Sequence, residues 1–260
     1  MSTVSGMQVT EERFRALARS SPWRWQTLRF TLVRRPAREP IGDGVRAWLR
    51  RPGLLRVEDL DGNLVSVVRE QPRKVALLTT DGGWAVPERD PLSTTPARDE
   101  DGFVVERPAM LDCDAPMFQD YHWVAMLDPV ELTDGHDGRP GTRIRELEEV
   151  DHHGRRAWQA VIDAIDGYAP RCPCCALLPS LQSDGKEGGP SLLEFDPGFR
   201  YAHSHLVRID VETGVCVYAE QQGGSNDGHW HQVKIEAVDE PMDDELFPVE
   251  KRPGWKVWRR

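Results

Sequence analysis

The spacing of apolar residues changes several times along the chain, and each change marks an element. In TEERFRALARS, residues 10 to 20, Phe14, Leu17 and Ala18 fall on one helical stripe. Thr10 stands where an N-cap belongs and Glu11 and Glu12 fill the first turn, so the stretch predicts a short helix that Pro22 ends. In WRWQTLRFTLVRR, residues 23 to 35, the period drops to two. Trp23, Trp25, Leu28, Phe30 and Leu32 are apolar, with one slip near Gln26, as in a half-buried strand. Residues 44 to 70 keep that period: Val45, Ala47 and Leu49 alternate with Arg46, Trp48 and Arg50. Arg51-Pro52-Gly53 and Asp61-Gly62 are turn sequences between the strands LLRVEDL and NLVSVVRE, and KVALLTT with the turn Asp81-Gly82-Gly83-Trp84 extends the meander.

The pattern lapses over residues 87 to 115. PERDPLSTTPARDEDG is rich in proline and acids with little to bury, which predicts a surface loop or a mobile insertion. Helical spacing returns with Met117, Tyr121, Val124 and Leu127, broken by Asp128-Pro129, with a short helical turn over PVELTDG. Residues 142 to 165 read as two strands around a His152-His153-Gly154-Arg155 turn, although a helix over 155 to 166 competes. A proline-stiffened loop with Cys172, Cys174 and Cys175 follows, and then the Gly/Pro/Ser-rich link SDGKEGGPS. The last third is a hairpin around Glu212-Thr213-Gly214, with Gly214 left-handed, and a further strand in GHWHQVKIEAVDE. A three-residue loop there pairs residue 211 with 215 and 209 with 217.

Composition narrows the class. At 260 residues with 39% hydrophobic and 29% charged residues, the chain is an ordinary soluble protein able to bury a sizeable core. A net charge of −10 argues against nucleic acid as a partner. No signal-peptide pattern opens the chain and no apolar run approaches the ~18 residues that span a bilayer, which places it in the cytoplasm. There five cysteines stay reduced and imply no disulfide framework. Charge is blocky: residues 29 to 56 are Arg-rich, 236 to 250 acidic, and the tail with Trp255, Lys256, Trp258, Arg259 and Arg260 is basic. These read as solvated faces, with contact between the tail and an anionic membrane surface as the lesser alternative.

Helix, long strand, "G…RPG…R" hairpin (Gly44 to Asp61), middle helices, "GRxxW" (Gly154 to Trp158) and the closing Arg208 to Pro248 with VDEPMDDELFP together resemble the LolA-like half-barrel superfamily, which includes lipoprotein carriers and sensor domains of anti-sigma-factor regulators. The resemblance implies an α+β fold over residues 1 to 260: one strongly curved antiparallel sheet with short helices on its concave face and an acyl-chain pocket between them. The alternating faces put Leu28, Phe30, Leu32, Val207, Ile209, Val215, Val217, Val233 and Ile235 on that concave side, with the helix near 117 to 127 against them.

Two residue groups carry candidate chemistry. His203 and His205 share a strand face, as do His229 and His231, and all four lie at one end of the apolar surface. The strands bearing them are first and third in the meander, ~10 Å apart, so their rings converge only if the sheet curves inward. Cys172 and Cys175 have the C-x-x-C spacing of a zinc or redox site, with Cys174 inserted. Three sulfurs leave a zinc site short of one ligand, to come from His152, His153, His203, His205 or Cys113. A thioredoxin-like redox site needs a βαβ context that is absent. No G-x-S-x-G, P-loop, HExxH or GxGxxG motif is present. The expectation is a non-enzymatic binder without a cofactor, holding a hydrophobic small molecule or a protein segment against Leu28, Phe30, Leu32, Val207, Ile209, Val217, Val233 and Ile235. The alternative is a zinc-binding protein, sensor or enzyme that uses Cys172, Cys174, Cys175, His203 and His205.

Overall fold

A computed structural model describes residues 9–38, 42–70, 77–78, 84–85, 90–108, 114–134, 140–184 and 191–248. Cys113 and the Trp255 to Arg260 tail lie outside them. Helix α1 spans Glu11–Ser20, and the Thr10 side chain accepts a hydrogen bond from the Arg13 amide as the N-cap pattern requires. Strands β1 (Thr27–Arg38), β2 (Gly42–Arg50), β3 (Leu54–Asp59) and β4 (Leu64–Arg69) form the first meander. The slip at Gln26 lies just outside β1, so Trp25 packs as an anchor before the strand, under the Arg51 guanidinium at 3.8 Å. Strands β5 (Leu77–Leu78) and β6 (Trp84–Ala85) pair with each other. Helix α2 is Tyr121–Leu127, and β7 (Thr142–His152), β8 (Arg155–Ala164), α3 (Leu192–Phe195), β9 (Ser204–Asp210), β10 (Cys216–Gln222) and β11 (Trp230–Val238) complete the order.

The strands expected at 142 to 165 form, and the competing helix does not. His153 and Gly154 both have positive φ (56° and 80°), which suits a two-residue hairpin loop. All main strands join one antiparallel sheet in the order β4-β3-β2-β1-β11-β10-β9-β8-β7, left open at β4 and β7. First and last strands meet at its centre, Leu32 opposite Val233. The chain thus forms the α+β half-barrel that the resemblance implied. Its coiling has a direct measure. His152 at the end of β7 reaches the Val233 carbonyl oxygen of β11 at 2.9 Å, although the strands stand four places apart, ~19 Å in a flat sheet.

The last hairpin departs from the simple register. Gly214 is left-handed (φ 73°) as expected, but Ile209 pairs with Cys216 rather than Val217, and a bulge lies between Cys216 and Tyr218. Val215, Cys216 and Val217 are consecutive and all buried, which pure alternation does not allow. Within 87 to 115, Phe103 and Val104 are buried, Phe103 with its ring 6.2 Å from Trp158.

Candidate functional site

The concave face carries the sheet's share of the main buried apolar cluster. Leu28, Phe30 and Leu32 of β1, Val207 and Ile209 of β9, Val217 of β10 and Val233 and Ile235 of β11 all lie in one buried cluster, because alternate residues of each strand point inward. Val215 joins them. What covers them is the protein itself: Phe14 and Leu17 of α1, and Trp123, Ala125, Met126 and Leu127 of α2. Trp123 lies 5.3 Å from the Phe30 ring and 5.4 Å, edge-on, from Phe118. The stripe expected on this helix is only half kept. Val124 and Leu127 are buried, but Met117 and Tyr121 are exposed, and Trp123 to Leu127 are buried on every side.

A cleft at the rim, lined by Leu32, Arg34, Gly44 and Val45 of the sheet and Phe118 and Gln119 of the cover, holds ≈ 20 Å³, enough for about one water molecule. Gln119 takes a left-handed φ of 67°, which costs a residue with a Cβ. The Trp123 indole N–H is buried with no acceptor among the described residues.

Buried carboxylates fix the cover's far end. Asp128, fully buried, receives Arg107 Nη1 at 2.9 Å and the Arg107 Nη2 and Arg171 Nη2 donors. Burial alone would raise its carboxyl; the Arg107 and Arg171 guanidiniums hold it below its usual range. Glu131 accepts from the Tyr168 hydroxyl, from the Arg171 amide at 3.1 Å and from the Leu177 amide at 3.0 Å. Its carboxyl is raised by burial, against those donors. One carboxylate therefore ties both ends of the segment 171 to 177. Sequence reasoning missed both roles: Asp128 looked like a helix breaker, and the partners of Glu131 are 37 to 46 residues away.

The histidines separate by environment. His205 and His231 are buried on the concave side, whereas His203 is exposed and packs over Gly223. Burial drops His205 to about 4, with the Pro179 carbonyl acting in the opposite direction, and neither ring nitrogen completes a hydrogen bond among the described residues. His231 is held well below the usual value by burial, then by His122 and Arg34. His122 Nε2 meets His231 Nδ1 at 2.9 Å, with the Ala176 carbonyl 3.0 Å from His122 Nδ1 and the Cys216 carbonyl 3.3 Å from His231 Nε2. These contacts fasten α2 to both the sheet and the cysteine loop.

That loop holds the described residues' one cluster of metal-ligand side chains. The Cys172, Cys174 and Cys175 sulfurs lie within 4.8 Å of one another, at 3.0 Å for 172–174 and 3.7 Å for 174–175. His203 and His205 stand outside it. Burial works against ionisation of Cys172, but hydrogen bonds from Cys174 and Cys175 bring its thiol below the usual value, while burial pushes Cys175 up. The Tyr121 backbone reaches Cys175, so the loop sits at the start of α2.

No family model matches the chain, and no curated protein is significantly similar in sequence. Among solved structures it is similar to the lipoprotein LppX of Mycobacterium tuberculosis, at 10% identity over 90% of this chain and 99% of that one, with a TM-score of 0.38. It is similar to MucB at 14% identity over 90% of this chain, with a TM-score of 0.39, and spans 61% of MucB's length. LprF from Mycobacterium bovis matches at 15% identity over 92% of this chain and 97% of that one, with a TM-score of 0.36. At these values no residue role passes from them to this chain.

Proposed function

We propose that the protein is a non-enzymatic binder that takes an apolar ligand, such as an acyl chain, between the concave face of the half-barrel and α2. The observation that carries the reading is the character of the cover. Helix α2 has seven residues, well short of the ~12–15 that an isolated helix needs in water, so its contacts with the sheet keep it folded. An apolar ligand that offers Leu32, Phe30 and Val233 the same contacts can take its place. The entrance is the rim cleft beside Phe118, where the strained Gln119 backbone precedes the helix. The pivot is the Asp128 ion cluster at the other end. The rim cleft, at ≈ 20 Å³, is far below the ~300–1,000 Å³ of a pocket for a drug-sized ligand, so binding requires α2 to move.

The test is native mass spectrometry and solvent extraction of the full chain as purified, followed by titration with palmitate and, in parallel, with an apolar peptide. One palmitate per chain, with quenched tryptophan emission that Trp123→Phe largely removes, is the expected result. A stoichiometric peptide complex in place of the palmitate complex would replace the acyl chain with a protein segment. Absence of both overturns the reading.

A further inference from the structure

The cysteine loop is built as a site before any ligand arrives. Glu131 holds the Arg171 and Leu177 amides, so residues 172 to 176 bow out between two anchors on one buried carboxylate. Pro170, Pro173 and Pro179 stiffen the bow, and a single turn over Pro173–Cys175 brings the sulfurs to one side. Thiolates bound ~2.3 Å from a common ion sit ~3.8 Å apart. The observed separations, from 3.0 Å up to 4.8 Å, bracket that spacing, so closure on an ion needs only side-chain adjustment. Cys174 is exposed and its neighbours partly so, which leaves an ion a way in and an open side.

We infer that Cys172, Cys174 and Cys175 form a three-thiolate site for a soft, thiophilic metal ion, Cu(I) or Zn(II). Sulfur-only ligation favours these over hard cations such as Mg²⁺ or Ca²⁺. Cu(I) is satisfied by the three sulfurs alone. Zn(II) takes the same three and keeps a fourth position for water. Binding replaces the three S–H protons, which pass to solvent, and leaves the oxidation state of metal and sulfur unchanged. The site stands on the loop's geometry and does not depend on an apolar ligand.

The experiment uses the full chain without a histidine tag, reduced with a phosphine and stripped with a chelator. It is titrated with Zn(II) against a chromophoric chelator and, in a separate anaerobic arm, with Cu(I) against bicinchoninate. Bound metal and thiols protected from a disulfide-exchange reagent are counted together. The expected result is one ion per chain in at least one arm, with three thiols protected. Binding strongest for Cu(I) assigns the three-coordinate form, and binding strongest for Zn(II) the form with solvent. Cys174→Ser leaves the exposed position folded and weakens binding at least ~100-fold, since losing a ligand costs no less than losing its support. Cys216→Ala, on the sheet and outside the cluster, keeps the full ion. Less than ~0.2 ion per chain in both arms overturns the site, given the tight binding of thiolate zinc. So does unchanged binding when all three cysteines are serine.

Discussion

The sheet and its cover are held together by different physics. The sheet carries nine strands joined by backbone ladders, and its buried face is an apolar cluster with His205 and His231 at one end. The cover, residues 114–134 with 168–184, has one seven-residue helix and a few turns. Its place is set by side chains: Asp128 with Arg107, His122 with His231, Arg15 with the Leu132 and Thr133 carbonyls and Ser21 with the Leu127 carbonyl, beside the apolar packing of Trp123 to Leu127, while Glu131 and Arg171 bind its two segments to each other. A ladder spreads its free energy over many bonds. A cover pinned by buried polar groups is sensitive at each of them, because each loses heavily when its partner leaves. The same molecule therefore joins a half-barrel held by backbone ladders to a cover held by side chains.

The sharpest break comes at Asp128. Asp128→Ala leaves two guanidiniums part-buried without their shared anion, and urea unfolding should show a loss of about 3–5 kcal/mol. A loss under about 1 kcal/mol would mean that apolar contacts alone hold the cover.

Acid gives the next largest effect, at the seam between the regions. His205 titrates near 6.5 when unfolded and at about 4 when folded, so below pH 6.5 the unfolded chain binds a proton that the folded chain refuses. Its contribution is complete above pH 6.5 and is lost as pH falls toward 4, by about 2 kcal/mol at pH 5. His231 and His152, both lowered by burial first, act in the same direction. His205→Leu, of similar bulk, should flatten the fall measured by urea unfolding between pH 7 and 5; an unchanged slope would place the acid sensitivity elsewhere.

The smallest effect belongs to the sheet's outer edge. Arg156 pairs with Glu149 across β7 and β8 at 2.7 Å, but both side chains are well exposed. Arg156→Ala should change stability by no more than about 0.5 kcal/mol in the same assay. A larger loss would show that the sheet too relies on individual polar contacts.

This contrast also explains what the sequence could tell. Strand alternation is a local signal, so β1, β2, β9 and β11 and their inward faces could be read directly, as could the Thr10 cap of α1 and the left-handed Gly214. The bulge at Cys216 was hidden because three adjacent residues there are apolar and any of them could face inward. Helix α2 misled for a related reason. Packed between the sheet and the 168–184 loop, it buries Trp123 through Leu127 regardless of helical period. Nothing local links Asp128 to Arg107 and Arg171, 21 and 43 residues away, so the fastenings of the cover were out of reach of spacing arguments. The three cysteines were visible, but the carboxylate that shapes their loop was not.

Native-state hydrogen exchange tests the central claim most directly, because it resolves the cover from the sheet in one experiment. The account predicts that amides of α2 exchange through a local opening well below the free energy of global unfolding, while those of β1 and β11 at the sheet's centre exchange only through global unfolding. Equal exchange free energies for α2 and the central strands would make the cover an inseparable part of the core and would contradict a groove that opens to a ligand.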